Sequence, residues 1–195
     1  MSKGADTRAA ILDAGMAVAA TEGLEALSIG RLADRVGLSK SGLFAHFRSK
    51  ELLQLQVLEY ARQHFVAHVM MPALGQARGE PRVAALLENW LKWGSSPERK
   101  GGCVFLQAAA EYDDRPGLVR DLLVQTQKDW RDTLVRAADL AVEEGHFRTG
   151  LDTQQFAFEM YALIMAHHFY QRLLDDPETP RRTRAAFERL LQSCR

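Results

Sequence analysis

Within residues 28–50, Arg31, Arg35, Lys40, Arg48 and Lys50 are set against Asp34 alone, which is 5 − 1 = +4. From Glu51 onward the chain holds 18 basic and 20 acidic residues, or −2. The chemistry such a segment could do is the neutralisation of a polyanion, in which cations and backbone N–H groups meet phosphates and no proton moves. A solvated helix face carries the same charge count, so spacing has to decide between the two.

Patterns for covalent chemistry are poor by comparison. Gly37-Leu38-Ser39-Lys40-Ser41 has Ser where the G-x-S-x-G elbow needs its last Gly, and no strand precedes it. Neither a G-x-x-x-x-G-K-[ST] loop nor a G-x-G-x-x-G turn occurs, so no cofactor site is expected. His64 and His68 stand at i and i+4, but Phe65 sits where a zincin has Glu and no third ligand is evident. They read as ordinary polar residues, with no metal. Cys103, near Lys100, could be a sensing thiol, although a free Cys is more often a small buried hydrophobe.

The elements that must position the basic segment are helices. Candidate helices cover 6–22, 28–36, 39–47, 50–70, 81–95, 102–111, 116–144, 152–175 and 180–193, and no alternation supports a sheet. Gly23 and Gly145 sit at C-cap positions, and Met71-Pro72 ends the fourth helix. Pro81, Pro116 and Pro180 fall in first turns, and Asp152 with Gln155 makes a variant capping box. Ser28 caps a two-turn helix whose Ile29, Leu32, Ala33 and Val36 share one face. Gly37-Leu38 turns the chain, and Ser39 caps a second short helix. Two short helices joined by a turn of about three or four residues with a Gly form a helix-turn-helix.

At about 100° per residue, Leu43 and Phe47 share an inward sector of the second helix. Ser41, Gly42 and Ala45 face outward, flanked by Lys40 and Phe44 on one side and His46 on the other. A small polar face of this kind can press against base edges in a major groove. Lys50 opens the next helix, whose first amides can hold a phosphate.

Residues 5–60 resemble the TetR family of bacterial transcriptional regulators. The resemblance rests on Thr7-Arg8, Ile11-Leu12, Gly23, Leu32-Ala33, Gly37-Leu38-Ser39-Lys40 and the run from Leu43 to Leu53. It implies an all-α homodimer in which a three-helix head binds operator DNA and a larger helical body binds a small molecule. It also implies phosphate contacts at Ser28 and Lys50, base-facing positions at Lys40, Ser41 and Ala45, and a backbone-fixing His46. Together with the outward-face reading, the DNA-binding set is Ser28, Arg31, Ser39, Lys40, Ser41, Gly42, Phe44, Ala45, His46 and Lys50. Two positions depart from the family: Phe44 stands where Tyr is usual, and Gly15 where Ala is usual. The expected boundaries are a head over 5–65 and a body for ligand binding and dimerisation over 66–195.

The body resembles one subgroup of the family's variable domains, through Gly101-Gly102-Cys103, Glu111, Asp113 to Gly117 and Arg120. The helix 152–175 is apolar nearly all round, so it should be buried on every side, and in so small a body that requires a partner subunit. The expected dimer interface is Phe156, Met160, Leu163, His167 and Leu174. Aromatic and Met side chains in excess of ordinary filling suggest an apolar effector pocket with a few polar anchors. Its expected lining is Trp90, Phe105, Gln107, Tyr112, Trp130, Phe158, Met165, His168 and Phe169, although any one of these could simply fill the core.

At 195 residues with 47% hydrophobic and 26% charged residues, the composition is that of a soluble globular protein needing no disulfide. Two cysteines suit a reducing compartment, the apolar stretch 9–20 is interrupted by Asp13, and no run of about eighteen uncharged apolar residues occurs. The expected protein is a cytoplasmic, non-enzymatic transcriptional regulator, a repressor released from operator DNA by a small molecule, with no membrane contact. The competing readings are a thiol sensor through Cys103 and a helical dimeric adaptor without DNA binding.

Overall fold

The computed structural model describes residues 3–95 and 101–195. Every regular element among them is helical. The elements are α1 (Lys3–Glu22), α2 (Ile29–Val36), α3 (Lys40–Phe47), α4 (Lys50–Phe65), a π-helical turn (Val66–Met70), α5 (Met71–Leu74), α6 (Glu80–Ser95), α7 (Val104–Tyr112), α8 (Leu118–Glu143), α9 (Thr153–Arg172) and α10 (Thr179–Cys194). No helix among the described residues is long and apolar enough to cross a membrane.

The chain packs as two units, Met1–His64 with Ser96–Thr126, and Phe65–Ser95 with Gln127–Arg195. In the first, α1 to α4 close on Leu24, Leu27, Leu32, Ala33, Leu43, Phe47, Leu53 and Val57, each at most 1% exposed. Burying one such Leu or Phe contributes roughly 1.5–3 kcal/mol, so this small core accounts for the head's fold without metal or disulfide. Gly15 is explained here. A Cβ at that position would lie 2.7 Å from Val57 Cγ2, a stiff branched side chain, so the missing methyl lets α1 and α4 approach. Gly23 adopts φ 94°, which ends α1 in the left-handed region.

In the second unit, α6, α9 and α10 bury Trp90, Leu86, Leu87, Phe156, Met160, Ile164 and Phe187. The ends expected from sequence hold to within a few residues except at two prolines. Met71-Pro72 does not stop its helix. The chain passes through the π-helical turn 66–70 and runs on to Leu74. The wider turn makes room where the Pro72 ring would press on the preceding backbone, and Asn89 Nδ2 donates to the Val69 carbonyl at 3.1 Å. Pro116 does not open α8 either, because Gly117 at φ 141° breaks the backbone and α8 begins at Leu118. Only half of the capping box at α9 forms. Asp152 accepts from the N–H groups of Gln154 and Gln155 at 3.1 and 3.0 Å, but the Gln155 amide reaches Glu159 and not back to the cap.

Candidate nucleic-acid interface

Two caps and one glycine build the basic segment. Ser28 Oγ accepts from Arg31 N at 3.3 Å to start α2, and Gly37 at φ 68° ends it. Ser39 Oγ accepts from Gly42 N at 3.1 Å to start α3. With Leu43 and Phe47 sunk in the core, Lys40, Ser41, Gly42, Phe44, Ala45 and His46 are all exposed. The outward face is therefore continuous, and its largest member, Phe44, is 55% exposed. Gly42 keeps the first turn open, since a Cβ there would sit 3.1 Å from the capping Ser39 Oγ.

The cations stand in different circumstances. Lys40 has no ion pair among the described residues and extends over Gly30, whose Cβ would lie 3.6 Å from Lys40 Cε. Arg31 and Arg35 both bond the Glu22 carboxylate, the latter at 3.0 Å. Lys50 Nζ donates to Glu25 Oε1 at 2.5 Å.

Glu25 was not singled out in the sequence, yet it is the most connected side chain of this region. Besides Lys50 it accepts from the Tyr112 hydroxyl at 2.9 Å and lies 3.5 Å from Arg115 Nη1. The Lys50 hydrogen bond, then the Tyr112 one, hold its carboxyl below the usual carboxylate range. Burial, then Glu25 itself, push the Tyr112 phenol well above its ordinary value, so it stays a donor. Glu111 caps the backbone beside it, accepting from Leu24 N at 3.0 Å and Glu25 N at 2.7 Å. Gln54, 4% exposed, donates to the Leu24 carbonyl at 2.9 Å. The sequence signal available was the run from Glu111 to Gly117, which matched a subgroup of bodies but says nothing of its partner 86 residues earlier.

Residues expected to line an effector pocket are found in both units. Trp90 and Trp130 are buried in the second unit, whereas Phe105, Gln107 and Tyr112 belong to the first. Phe158, Met165 and Phe169 are 69%, 52% and 51% exposed, while Phe156, Met160 and His167, expected at an interface, are buried inside the protomer. Leu163 and His168 are half-buried, and Leu174 is exposed. The reason is that α9 is apolar on both sides, and the side facing α6 and α10 is the one that carries Phe156, Met160, Ile164 and His167. Phe65 forms edge-to-face pairs with Trp93 and Trp130, with ring centres 5.4 and 5.1 Å apart. Trp130 Nε1 and Gln127 Nε2 are buried without a hydrogen-bond partner among the described residues, and Tyr161 donates to Gln127 Oε1 at 2.7 Å. Cys103 is buried at the start of α7, unlike the accessible thiol a sensor uses, and Lys100 lies outside the described residues.

Comparison with known proteins agrees with this arrangement. Residues 11–57 match the family "Bacterial regulatory proteins, tetR family", and residues 79–187 match "Tetracyclin repressor-like, C-terminal domain". The HTH-type transcriptional regulator SrpR of Pseudomonas putida is 27% identical over 150 residues, covering 76% of this chain and 67% of that protein. A TetR transcriptional regulator from Chloroflexus aurantiacus J-10-FL superposes with a TM-score of 0.86 at 24% identity, covering 98% of this chain and 96% of that one. AibR, solved with isovaleryl coenzyme A and operator DNA, superposes with a TM-score of 0.67 at 22% identity, covering 82% of this chain and 84% of that one. With one family match on the helix-turn-helix head and the other on the helical body, the chain belongs to the TetR family of DNA-binding transcriptional regulators.

Proposed function

We propose that the protein is a cytoplasmic homodimeric repressor that leaves its operator when a small, largely apolar molecule binds the body. The continuous outward face of α3 carries the DNA-binding part of this reading. In it, Lys40, Ser41, Gly42, Phe44 and Ala45 meet base edges, while Ser28, Ser39, His46 and Lys50 hold backbone. Arg31, tied to Glu22, serves the backbone only by leaving that carboxylate. Residues 5–65 act as the DNA-binding head and 66–195 as the effector and dimerisation domain.

Two heads must stand about 34–36 Å apart to enter successive major grooves. The supporting observation for a dimer is the exposed stripe of Phe158, Met165, Phe169 and Leu173, with Ala162 and Ala166 between them. These positions recur at i, i+7, i+11 and i+15, a single helix face left for a second copy. A groove of about 460 Å³ between α9 and α10, lined by Ala166, Ala185 and Ala186 together with Arg181, Arg182 and Arg189, lies beside it and can receive the partner's rings, the guanidinium groups packing on them.

The effector reading rests on Trp130 and Gln127, whose buried donors would be satisfied by an acceptor on an otherwise apolar molecule. A ligand that prefers a body conformation with a different head spacing weakens DNA binding by that preference alone. AibR, bound to an acyl coenzyme A and operator DNA, is a relative in which both ligands are accommodated. A compound that releases operator DNA should change tryptophan fluorescence, since all three tryptophans lie outside the head. Trp130→Phe should spare folding and DNA binding and lower that compound's affinity at least several-fold; unchanged affinity would move the site elsewhere.

The head is tested directly by salt titration of operator binding. Lys50→Ala should weaken binding to all sequences alike and lower the salt slope by about one unit per head. Lys40→Ala should also change which bases are preferred. Wild-type affinity and slope in both variants would remove α3 and α4 from the DNA interface.

A further inference from the structure

We propose that the Glu25 carboxylate competes with DNA phosphate for the Lys50 ammonium, and that the end of α7 and the turn after it set the outcome by holding Glu25 in place through Tyr112 and Arg115. The inference rests on the reading of Lys50 as a phosphate contact. Lys50 stands in the first turn of α4 with its side chain 43% exposed, and Glu25, at 50%, is equally open to solvent. An ammonium has three donors, so a phosphate oxygen could bond Lys50 while Glu25 keeps its own bond. The charges are not so accommodating. A phosphate drawn to Lys50 is drawn to within a few ångströms of a carboxylate of the same sign, and the attraction it gains from the one is offset by the other. Tight phosphate contact therefore requires Glu25 to withdraw.

Whether it can withdraw depends on the end of α7 and the turn after it. The Tyr112 hydroxyl and the Arg115 guanidinium hold the carboxylate oxygen Oε2 at 2.9 and 3.5 Å. The backbone itself is pinned by Glu111 at both Leu24 N and Glu25 N, and Gly23 leaves no slack, since a Cβ there would come within 2.5 Å of Glu111 Oε1. Farther along, Gly101 touches the end of α1 so closely that its Cβ would lie 2.0 Å from the Ala20 carbonyl oxygen. The end of α1 and loop 23–25 are thus joined by short contacts to residues 101–115, and a shift of that segment carries the counter-charge with it. Tyr112 is only 7% exposed, so the ring is held in place by packing and keeps its hydroxyl directed at Glu25. Glu25 is then a positioning residue, acting on DNA through Lys50.

The experiment is a double-mutant cycle on operator affinity across a salt series, with Glu25→Gln, Lys50→Ala and the pair. Glu25→Gln keeps an acceptor for Tyr112 and removes only the charge. It should tighten binding about three- to fivefold per head at low salt, an effect fading at high salt, in keeping with an exposed ion pair. In the Lys50→Ala background the same substitution should change nothing. Equal or weaker binding by a folded Glu25→Gln protein overturns the competition, and so does the same tightening without Lys50, which would mark a general charge effect. Should Glu25→Gln fail to fold, Glu25→Asp, whose carboxylate falls a methylene short of Lys50, should tighten binding in the same direction, and unchanged affinity there counts equally against the proposal. If Lys50→Ala alone leaves wild-type affinity intact, the phosphate reading itself fails, an outcome separate from the others. Tyr112→Phe and Arg115→Ala test the part played by the end of α7 and the turn after it: each should tighten binding in the folded protein, and no change in either would confine the competition to Glu25 and Lys50.

Discussion

Phe169→Glu is expected to give a folded monomer that has lost most of its hold on operator DNA, while Phe156→Glu on the same helix is expected not to fold. Phe156 is 2% exposed and packs on Phe147 with ring centres 5.4 Å apart. Removing such a ring costs about 3–5 kcal/mol, and leaving an unpaired carboxylate in its place costs more, against a total stability of about 5–15 kcal/mol. Phe169 is 51% exposed, so the protomer loses little. In a twofold dimer, however, the new charge enters the interface twice and faces its own copy. Loss of the second head removes an effective-concentration gain of about 10²–10⁴ in DNA affinity. Sedimentation velocity, thermal melting and operator titration on the two variants would separate the outcomes. A dimeric Phe169→Glu protein with full DNA affinity would move the interface off this face of α9.

That contrast also marks what was legible in the sequence. The head could be read closely because its signals are local. Ser28 and Ser39 act on N–H groups three residues away, Gly37 needs only its own backbone, and Leu43 and Phe47 share a sector by helical arithmetic. The body was harder because α9 has two apolar sides, and periodicity cannot say which one meets the same chain. The side with Phe156 and His167 went inward, and the side with Phe158 and Phe169 stayed out, the reverse of the expected assignment. Glu25 escaped notice for a different reason. Its partners come from α4 and α7, 25 and 87 residues away, and no spacing rule connects them.

The second large effect is acid destabilisation through His167. Its Nδ1 lies 2.9 Å from Thr183 Oγ1, and that hydroxyl already donates to the Thr179 carbonyl at 2.9 Å. Having spent its proton, Thr183 can only accept, so Nδ1 carries an imidazole hydrogen. Burial, reinforced by Arg184 and His168, lowers the pKa from 6.5 to about 4. The unfolded chain then binds the proton first as pH falls, so the folded state loses stability between pH 6.5 and about 4 and is unaffected above that window. The full loss is about 3 kcal/mol, roughly 2 of it by pH 5. The paired carboxylates Glu25, Glu59, Glu80 and Glu88 titrate below their usual range, so the upper part of the window belongs to histidine. His167→Gln can still donate to Thr183, and its urea midpoint should fall less between pH 6.5 and 5 than the wild type's. Parallel pH profiles would mean that His168, also lowered by burial, or another group carries the slope.

The contacts of Glu111, Tyr112 and Gly101 bear on how such regulators can be recombined. A chimaera that transplants residues 1–64 alone onto a foreign body would leave the Leu24 and Glu25 N–H groups without the Glu111 carboxylate and the Glu25 side chain without its phenol. It would also set an arbitrary side chain against the Ala20 carbonyl, where only a glycine fits. The portable DNA-reading cassette of this protein is discontinuous in sequence: its three-helix head together with residues 101–115, to be exchanged as one piece.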